Sequence, residues 1–69
     1  MSKLCVFMAD GSEEVETLAV VDIARRAGIE TELVSVTGSR EVTGSHRITV
    51  LADTTFEAAD FSGAEALYI

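Results

Sequence analysis

The stretch of sequence that decides the fold spans residues 4–28 and reads LCVFMADGSEEVETLAVVDIARRAG. Residues 4–9 are continuously apolar and are followed by Asp10, Gly11 and Ser12. This pattern is typical of a strand that is buried on both faces and ended by a turn. The chain is therefore predicted to begin with a central strand of a parallel sheet.

A helix of about fifteen residues is predicted to follow, over residues 13–27. Ser12 is the expected N-cap, three glutamates favour the positive end of the helix dipole, and two arginines precede Gly28 at the other end. Apolar residues recur at steps of three and four, so we expect one face to pack on the sheet. That face consists of Val15, Leu18, Ala19, Ile23 and Ala27.

The rest of the chain predicts further strands. Residues 29–36 are rich in β-branched side chains and follow a glycine-capped helix, which favours a second strand parallel to the first. Residues 41–51 suggest a small antiparallel excursion, whose best strand is 47–51. A capping box predicts a short helix over residues 54–60, and an apolar strand is expected over 64–69.

These elements predict an α/β fold with a mainly parallel sheet. A chain of 69 residues is short for such a fold, yet 48% of its residues are hydrophobic and its mean hydropathy is +0.31. This excess of apolar residues indicates that the chain forms part of a larger hydrophobic core. We therefore expect residues 1–69 to be the N-terminal part of a single domain, cut off after about the first four or five strands.

Composition argues against several classes of partner. Twelve acids against five bases give a formal charge of -7, which disfavours nucleic-acid binding. The apolar run of residues 4–9 is too short for a signal peptide or a membrane span. A single cysteine agrees with a reducing compartment. We predict a cytoplasmic protein with no membrane partner.

The loop and helix start at residues 10–16 are the most informative for function. They follow the carboxyl end of the first strand, where ligands bind in open α/β sheets. Glu16 lies beside Val15 and Ala19, so a partly buried carboxyl that can donate a hydrogen bond to a thiolate is one interpretation. The alternative is that the glutamates remain solvated and only stabilise the helix dipole.

Other candidate residues have ordinary interpretations. Cys5 lies within an apolar strand and is expected to pack as a small hydrophobe. His46 is the only histidine, and an exposed imidazole in a hairpin is expected, with no metal site. The single glycine Gly11, with an acidic flank, argues against a phosphate-binding loop.

Two motifs resemble the opening of the DJ-1/PfpI (ThiJ) superfamily. They are ADGSEEVET at residues 9–17 and VDIARRAGI at residues 21–29, and the resemblance continues to residue 69. It implies a flavodoxin-like three-layer sandwich with a parallel sheet between helices. It also implies a nucleophilic cysteine on a strand-to-helix turn, beyond residue 69.

The resemblance assigns roles to particular residues. Glu16 matches the family's glutamate that hydrogen-bonds and tunes the thiolate, so it is the implied catalytic residue. Gly11 matches a position near the active-site mouth. Arg26 and His46 are implied to lie near the pocket across a dimer.

The implied function is that of a cysteine-dependent glyoxalase or deglycase that needs no cofactor and acts on small reactive carbonyls or their adducts. A redox-responsive stress protein or chaperone and an intracellular cysteine peptidase remain alternatives. Residues 1–69 alone are expected to be inactive. The apolar surplus of the helix, to which Val20 and Val21 add, predicts a homodimer.

Overall fold

The computed structural model describes residues 3–68, which form one helix and six strands. The first part of the chain has the order strand, helix, strand, as predicted. The elements are β1 (Lys3–Met8), α1 (Glu14–Arg26), β2 (Glu30–Ser35), β3 (Glu41–Thr43), β4 (Thr49–Leu51), β5 (Thr54–Thr55) and β6 (Ala66–Tyr68).

Four strands form a parallel sheet in the order β5-β2-β1-β6. The central strand is β1, whose Leu4 lies opposite Thr31 of β2 and Ala66 of β6. The remaining strands, β3 and β4, pair with each other as an antiparallel hairpin. The predicted α/β class, the parallel β1–β2 pair and the antiparallel excursion are confirmed.

Helix α1 and the hairpin cover one face of the sheet. The hydrophobic core lies between the sheet and these two elements. The core residues come from β1, β2, α1, β3 and the segment after β4; they are Val6, Met8, Val21, Leu33, Val42 and Ala52. Phe7 points to the other face, because side chains alternate along a strand. Its ring lies 6.2 Å from that of Phe56 and 5.7 Å from that of Phe61.

The face of α1 that packs inward differs from the predicted one. Val15 and Ile23 are 64% and 66% exposed, and Ala19 and Ala27 are exposed as well. The buried positions recur at three and four residues in another register; they are Glu14, Thr17, Val21 and Ala24. The predicted stripe therefore lies on the outside of the molecule, with only Leu18 half-buried.

The start of α1 also differs from the prediction. Glu13 occupies the N-cap position and makes no side-chain cap hydrogen bond. The Oγ atom of Ser12 instead accepts a hydrogen bond from the Ala9 N–H at 3.0 Å. Ser12 therefore closes the loop after β1, because its hydroxyl meets the end of the strand and not the first helical turn.

Within residues 3–68, no helix is long and apolar enough to cross a membrane.

The short helix predicted over residues 54–60 does not form. Thr54 and Thr55 pair with β2, and the Phe56 N–H donates to the carbonyl of Ser35 at 2.8 Å. These backbone groups are thus committed to the sheet, and only one turn follows. The last predicted strand is confirmed as β6, although Ile69 lies outside the described residues.

Candidate functional site

The loop between β1 and α1 is tied to the β3–β4 hairpin by backbone hydrogen bonds. The Gly11 N–H donates to the Thr43 carbonyl at 2.9 Å, and the Ser45 N–H donates to the Ser12 carbonyl at 2.8 Å. The Thr43 N–H donates to Oδ1 of Asp10 at 3.0 Å. Gly11 has a φ of +88°, which favours glycine there. Loop and hairpin thus form one unit at the carboxyl end of β1.

Glu14 is the buried carboxylate of this unit. Its side chain is fully buried, and Oε2 accepts hydrogen bonds from the N–H groups of His46 at 3.0 Å and Ile48 at 3.1 Å. Its Oε1 lies 2.8 Å from Nδ1 of His46. The backbone of Gly44 passes so close that a Cβ at Gly44 would overlap the Glu14 carboxyl. The hairpin turn is therefore shaped around this side chain.

The environment of Glu14 keeps its carboxyl ionised. Burial by itself would raise the pKa of this group, because it penalises the charged form. Hydrogen bonds from the His46 side chain and from the N–H groups of Glu14, Ile48 and His46 outweigh that effect and lower the pKa to about 2. Glu14 is therefore an anion throughout the physiological pH range.

His46 lies between two carboxylates. Its Nδ1 is 2.8 Å from Oε1 of Glu14 and 3.1 Å from Oε1 of Glu13, while 56% of its side chain is exposed. The hydrogen bond to Glu14, together with the charges of Glu13 and Glu14, raises the pKa of His46. The imidazole is exposed, as expected from the sequence, but it has two carboxylate partners and joins the hairpin to the start of α1.

The structure places Gly11 and His46 in the same unit of loop and hairpin, which does not include the other two predicted site residues. Arg26 lies at the far end of α1, about 18 Å along the helix from Glu14. Its Nε donates to Oδ1 of Asp22 at 3.1 Å, an exposed pair within one helix face. Glu16 is exposed, so the partial burial expected for it is not found in the described residues. Its catalytic role stays a prediction.

Sequence reasoning missed Glu14, which looks the same as its neighbours Glu13 and Glu16 in the sequence. A signal was nevertheless present. Thr17, Val21 and Ala24 follow Glu14 at helical spacing, and their side chains are short and uncharged. They therefore mark a helix face that can pack closely on the sheet. Choosing that face in place of the larger apolar stripe would have placed Glu14 inside.

A separate cavity of about 430 Å³ opens on the Phe7 side of the sheet. Its lining is almost wholly apolar and consists of Phe7, Met8, Ala9, Ser12, Val36, Phe56 and Leu67. Neither the Glu14–His46 cluster nor Glu16 lines it. The apolar cavity and the charged groups thus occupy different regions at the carboxyl end of the sheet.

Comparison with known proteins gives this geometry a family. The model of the DJ-1/PfpI family matches residues 2–69. The chain belongs to this family. The family resemblance of residues 9–17 and 21–29 is thereby confirmed. The flavodoxin-like fold predicted for this chain is confirmed by its similarity to DJ-1 structures.

Among DJ-1 relatives, the Parkinson disease protein 7 homolog of Danio rerio is 36% identical over 58 residues, which are 84% of this chain and 31% of that protein. The structure of oxidised Toxoplasma gondii DJ-1 superposes with a TM-score of 0.91 at 31% identity, over 97% of this chain and 36% of that one.

A mutant of the Salmonella typhimurium DJ-1 superfamily protein STM1931, in which a cysteine is replaced by alanine, superposes with a TM-score of 0.79 at 38% identity. That comparison covers 83% of this chain and 31% of that one. The chain thus spans about a third of the length of each of these relatives.

The cysteine of this DJ-1/PfpI chain is structural. Cys5 is fully buried in β1, and burial raises the pKa of its thiol. A buried thiol with a raised pKa is a poor nucleophile, because the thiolate is the reactive form. The prediction that Cys5 packs as a small hydrophobe is confirmed.

Proposed function

We propose that the whole protein is a cysteine-dependent glyoxalase or deglycase that needs no cofactor and acts on small reactive carbonyls or their adducts. Membership of the DJ-1/PfpI family is the observation that carries this proposal. Because Cys5 is buried, the proposal assigns the role of nucleophile to a cysteine outside residues 1–69. We also propose a cytoplasmic location, which the single cysteine of the chain supports.

In this proposal Glu16 is the residue that tunes the nucleophile. It lies on the first turn of α1, at the carboxyl end of the sheet, and no residue between 3 and 68 hydrogen-bonds its carboxylate. A carboxyl group that is free of partners in this part of the chain is available to a thiolate brought there by the rest of the domain. In its protonated form the carboxyl would donate a hydrogen bond to the sulfur and so favour the thiolate over the thiol.

The chemistry follows from that pairing. The thiolate sulfur attacks the aldehyde carbon, the carbon–sulfur bond forms, and the π bond of the carbonyl breaks onto its oxygen, which takes a proton from water. Neither metal nor cofactor is required for this addition. A lowered thiol pKa raises the fraction of thiolate at neutral pH and therefore the rate.

Replacing Glu16→Leu in the whole protein is expected to slow consumption of a small α-oxoaldehyde by about 100-fold and to raise the pKa of the nucleophilic thiol. Aldehyde loss is followed spectrophotometrically, and the thiol is titrated by its reaction rate with a disulfide reagent across pH. Glu57→Leu, at an exposed glutamate far along the chain, serves as the control. An unchanged thiol pKa in the Glu16 variant would refute the assigned role.

A redox-responsive stress protein is the second candidate, favoured by the match to an oxidised DJ-1 of Toxoplasma gondii. Here two equivalents of peroxide oxidise the same cysteine to a sulfinate and are reduced to water, and Glu16 caps the sulfinate with a hydrogen bond. The two functions separate on one preparation of the protein. Mild peroxide should abolish carbonyl consumption in the enzyme, whereas in the sensor it should switch on binding to unfolded proteins.

We also propose a homodimer formed through the outer face of α1. Val15 and Ile23, two turns apart, are 64% and 66% exposed on this helix, with Ala19 exposed between them. An apolar stripe of this kind is the usual mark of a packing partner. Val20 and Val21, which suggested the dimer in the sequence, instead face the interior.

Ile23→Glu in the whole protein is therefore expected to halve the mass measured by sedimentation, because it places a charge in the proposed contact. Glu57→Lys changes an exposed residue elsewhere and should leave the mass unaltered. A wild-type protein that sediments as a monomer, or an Ile23→Glu variant that still dimerises, would contradict this interface.

A further inference from the structure

Three side chains that bind metals well converge where α1 begins. Glu13 and Glu14 come from the helix start, and His46 comes from the β3–β4 turn, 32 residues away. Each offers one ligand atom, and these atoms all lie within 4.8 Å of one another. The sequence predicted no metal site because it contains one histidine, but folding supplies two carboxylates to that histidine.

The charges at this point are unbalanced. One ring nitrogen of His46 faces Oε1 of Glu14 at 2.8 Å and Oε1 of Glu13 at 3.1 Å. A single N–H lies between two acceptors, and a single positive charge lies between two negative ones. Two carboxylates, with two negative charges, thus share one proton of the imidazole. A divalent cation would balance both charges, whereas the proton balances only one.

The distances suit such an ion. Zinc binds histidine nitrogen and carboxylate oxygen at about 2.0 to 2.2 Å, which in a tetrahedral site places two ligand atoms about 3.4 Å apart. The separations of 2.8 and 3.1 Å from Nδ1 of His46 need to widen by about 0.6 and 0.3 Å. Glu13 and His46 have the freedom to do so, since 47% and 56% of their side chains are exposed.

Glu14 supplies the fixed part of the site. Its Oε2 is held by the N–H groups of His46 and Ile48, while Oε1 faces the imidazole. The His46 N–H also lies 3.1 Å from Oε1, so backbone N–H groups hold both carboxylate oxygens and fix Oε1 beside the imidazole. The partial positive charge of the helix start, about half an elementary charge, opposes a cation. Two full carboxylate charges outweigh it, and the net charge of -7 attracts cations to the chain.

We propose that Glu13, Glu14 and His46 form a binding site for a divalent zinc ion. Glu13 and Glu14 each give one carboxylate oxygen, and His46 gives Nδ1. The zinc ion takes the place of the proton that Nδ1 now shares with the two carboxylates. Because Glu13 and His46 are half-exposed, the fourth position is open to water or to a small ligand, as in zinc sites that are not purely structural. The site is independent of the proposed cysteine chemistry.

Zinc titration of the whole protein by calorimetry tests the proposal, with zinc chloride as the probe. One equivalent of zinc is expected to bind, and Glu13→Gln and His46→Asn should each weaken binding by about tenfold or more. Glu57→Gln removes the same charge from an exposed position away from the cluster and should bind as the wild type does. Excess magnesium should not displace the zinc, because it prefers all-oxygen sites.

The ring nitrogen resonances of His46 give a second measurement. They respond to zinc only if the imidazole binds the ion. These resonances are assigned by their loss in His46→Asn, and Nδ1 should shift in step with zinc up to one equivalent while circular dichroism confirms the fold. Either of two results would overturn the site. One is the lack of saturable zinc binding with an unmoved Nδ1, and the other is an equal loss of affinity in Glu57→Gln, which would indicate diffuse attraction by surface carboxylates.

Discussion

Replacing Gly44→Ala is expected to destabilise the chain by about 2 to 3 kcal/mol, a large effect for the addition of one methyl group. The new Cβ would overlap the buried carboxyl of Glu14. That carboxyl cannot move aside freely, because it accepts hydrogen bonds from His46 and Ile48. A stability of about 0.05 to 0.15 kcal/mol per residue makes this loss a substantial fraction of the total.

Urea denaturation followed by circular dichroism measures the effect. Gly63→Ala is the matched control, since a Cβ at Gly63 has no neighbour within 4 Å, and its change should stay within about 0.5 kcal/mol. If Gly44→Ala prevents folding, the shorter side chain of Glu14→Asp should restore part of the stability in the double variant. Equal effects of the two alanine substitutions would contradict the close packing of Gly44 on Glu14.

The Glu14–His46 pair is expected to make the chain most stable in a narrow range of pH. The pKa of Glu14 falls from 4.5 to about 2 on folding, so its contribution is complete above pH 4.5 and is lost as the pH falls towards 2. The pKa of His46 rises from 6.5, so its contribution is complete below pH 6.5 and is lost as the pH rises through the higher folded value. Both contributions are present together between about pH 4.5 and 6.5.

Thermal unfolding midpoints measured from pH 2 to pH 8 test this window. Glu14→Gln should lower the midpoint by more than about 5 °C at pH 5.5 and abolish most of the acid limb. His46→Asn should remove the alkaline limb. Glu16→Gln changes an exposed carboxylate on the same helical turn and should keep the wild-type profile. A Glu14→Gln profile that parallels the wild type would show that this carboxylate does not govern the acid limb.

Local sequence determined the elements and their pairing class. The apolar run that forms β1, the glycine-ended helix and the β-branched run that forms β2 were each predicted within one or two residues. The reason is that a strand buried on both faces, a helix and its glycine stop each have a short-range signature. The motifs at residues 9–17 and 21–29 likewise sufficed to indicate the DJ-1/PfpI family.

Long-range contacts decided what local patterns left open. The capping box at residues 54–57 favours a helix, but backbone hydrogen bonds to β2 convert Thr54 and Thr55 into a strand. Helix α1 has two candidate faces, and the larger apolar one remains outside, because Thr17, Val21 and Ala24 let the helix pack closely on the sheet. Periodicity shows that a helix has a face, but packing selects which one.

The candidate site shows the same division. The sequence by itself determined that acidic residues would lie at the carboxyl end of β1, because the order of strand and helix requires it. Only the tertiary structure decided that Glu14 is the buried one and that His46 meets it from 32 residues away. The physical reason is that neighbouring glutamates have identical local propensities. What distinguishes them is the hairpin, whose N–H groups and imidazole compensate the burial of one carboxylate and leave Glu16 exposed.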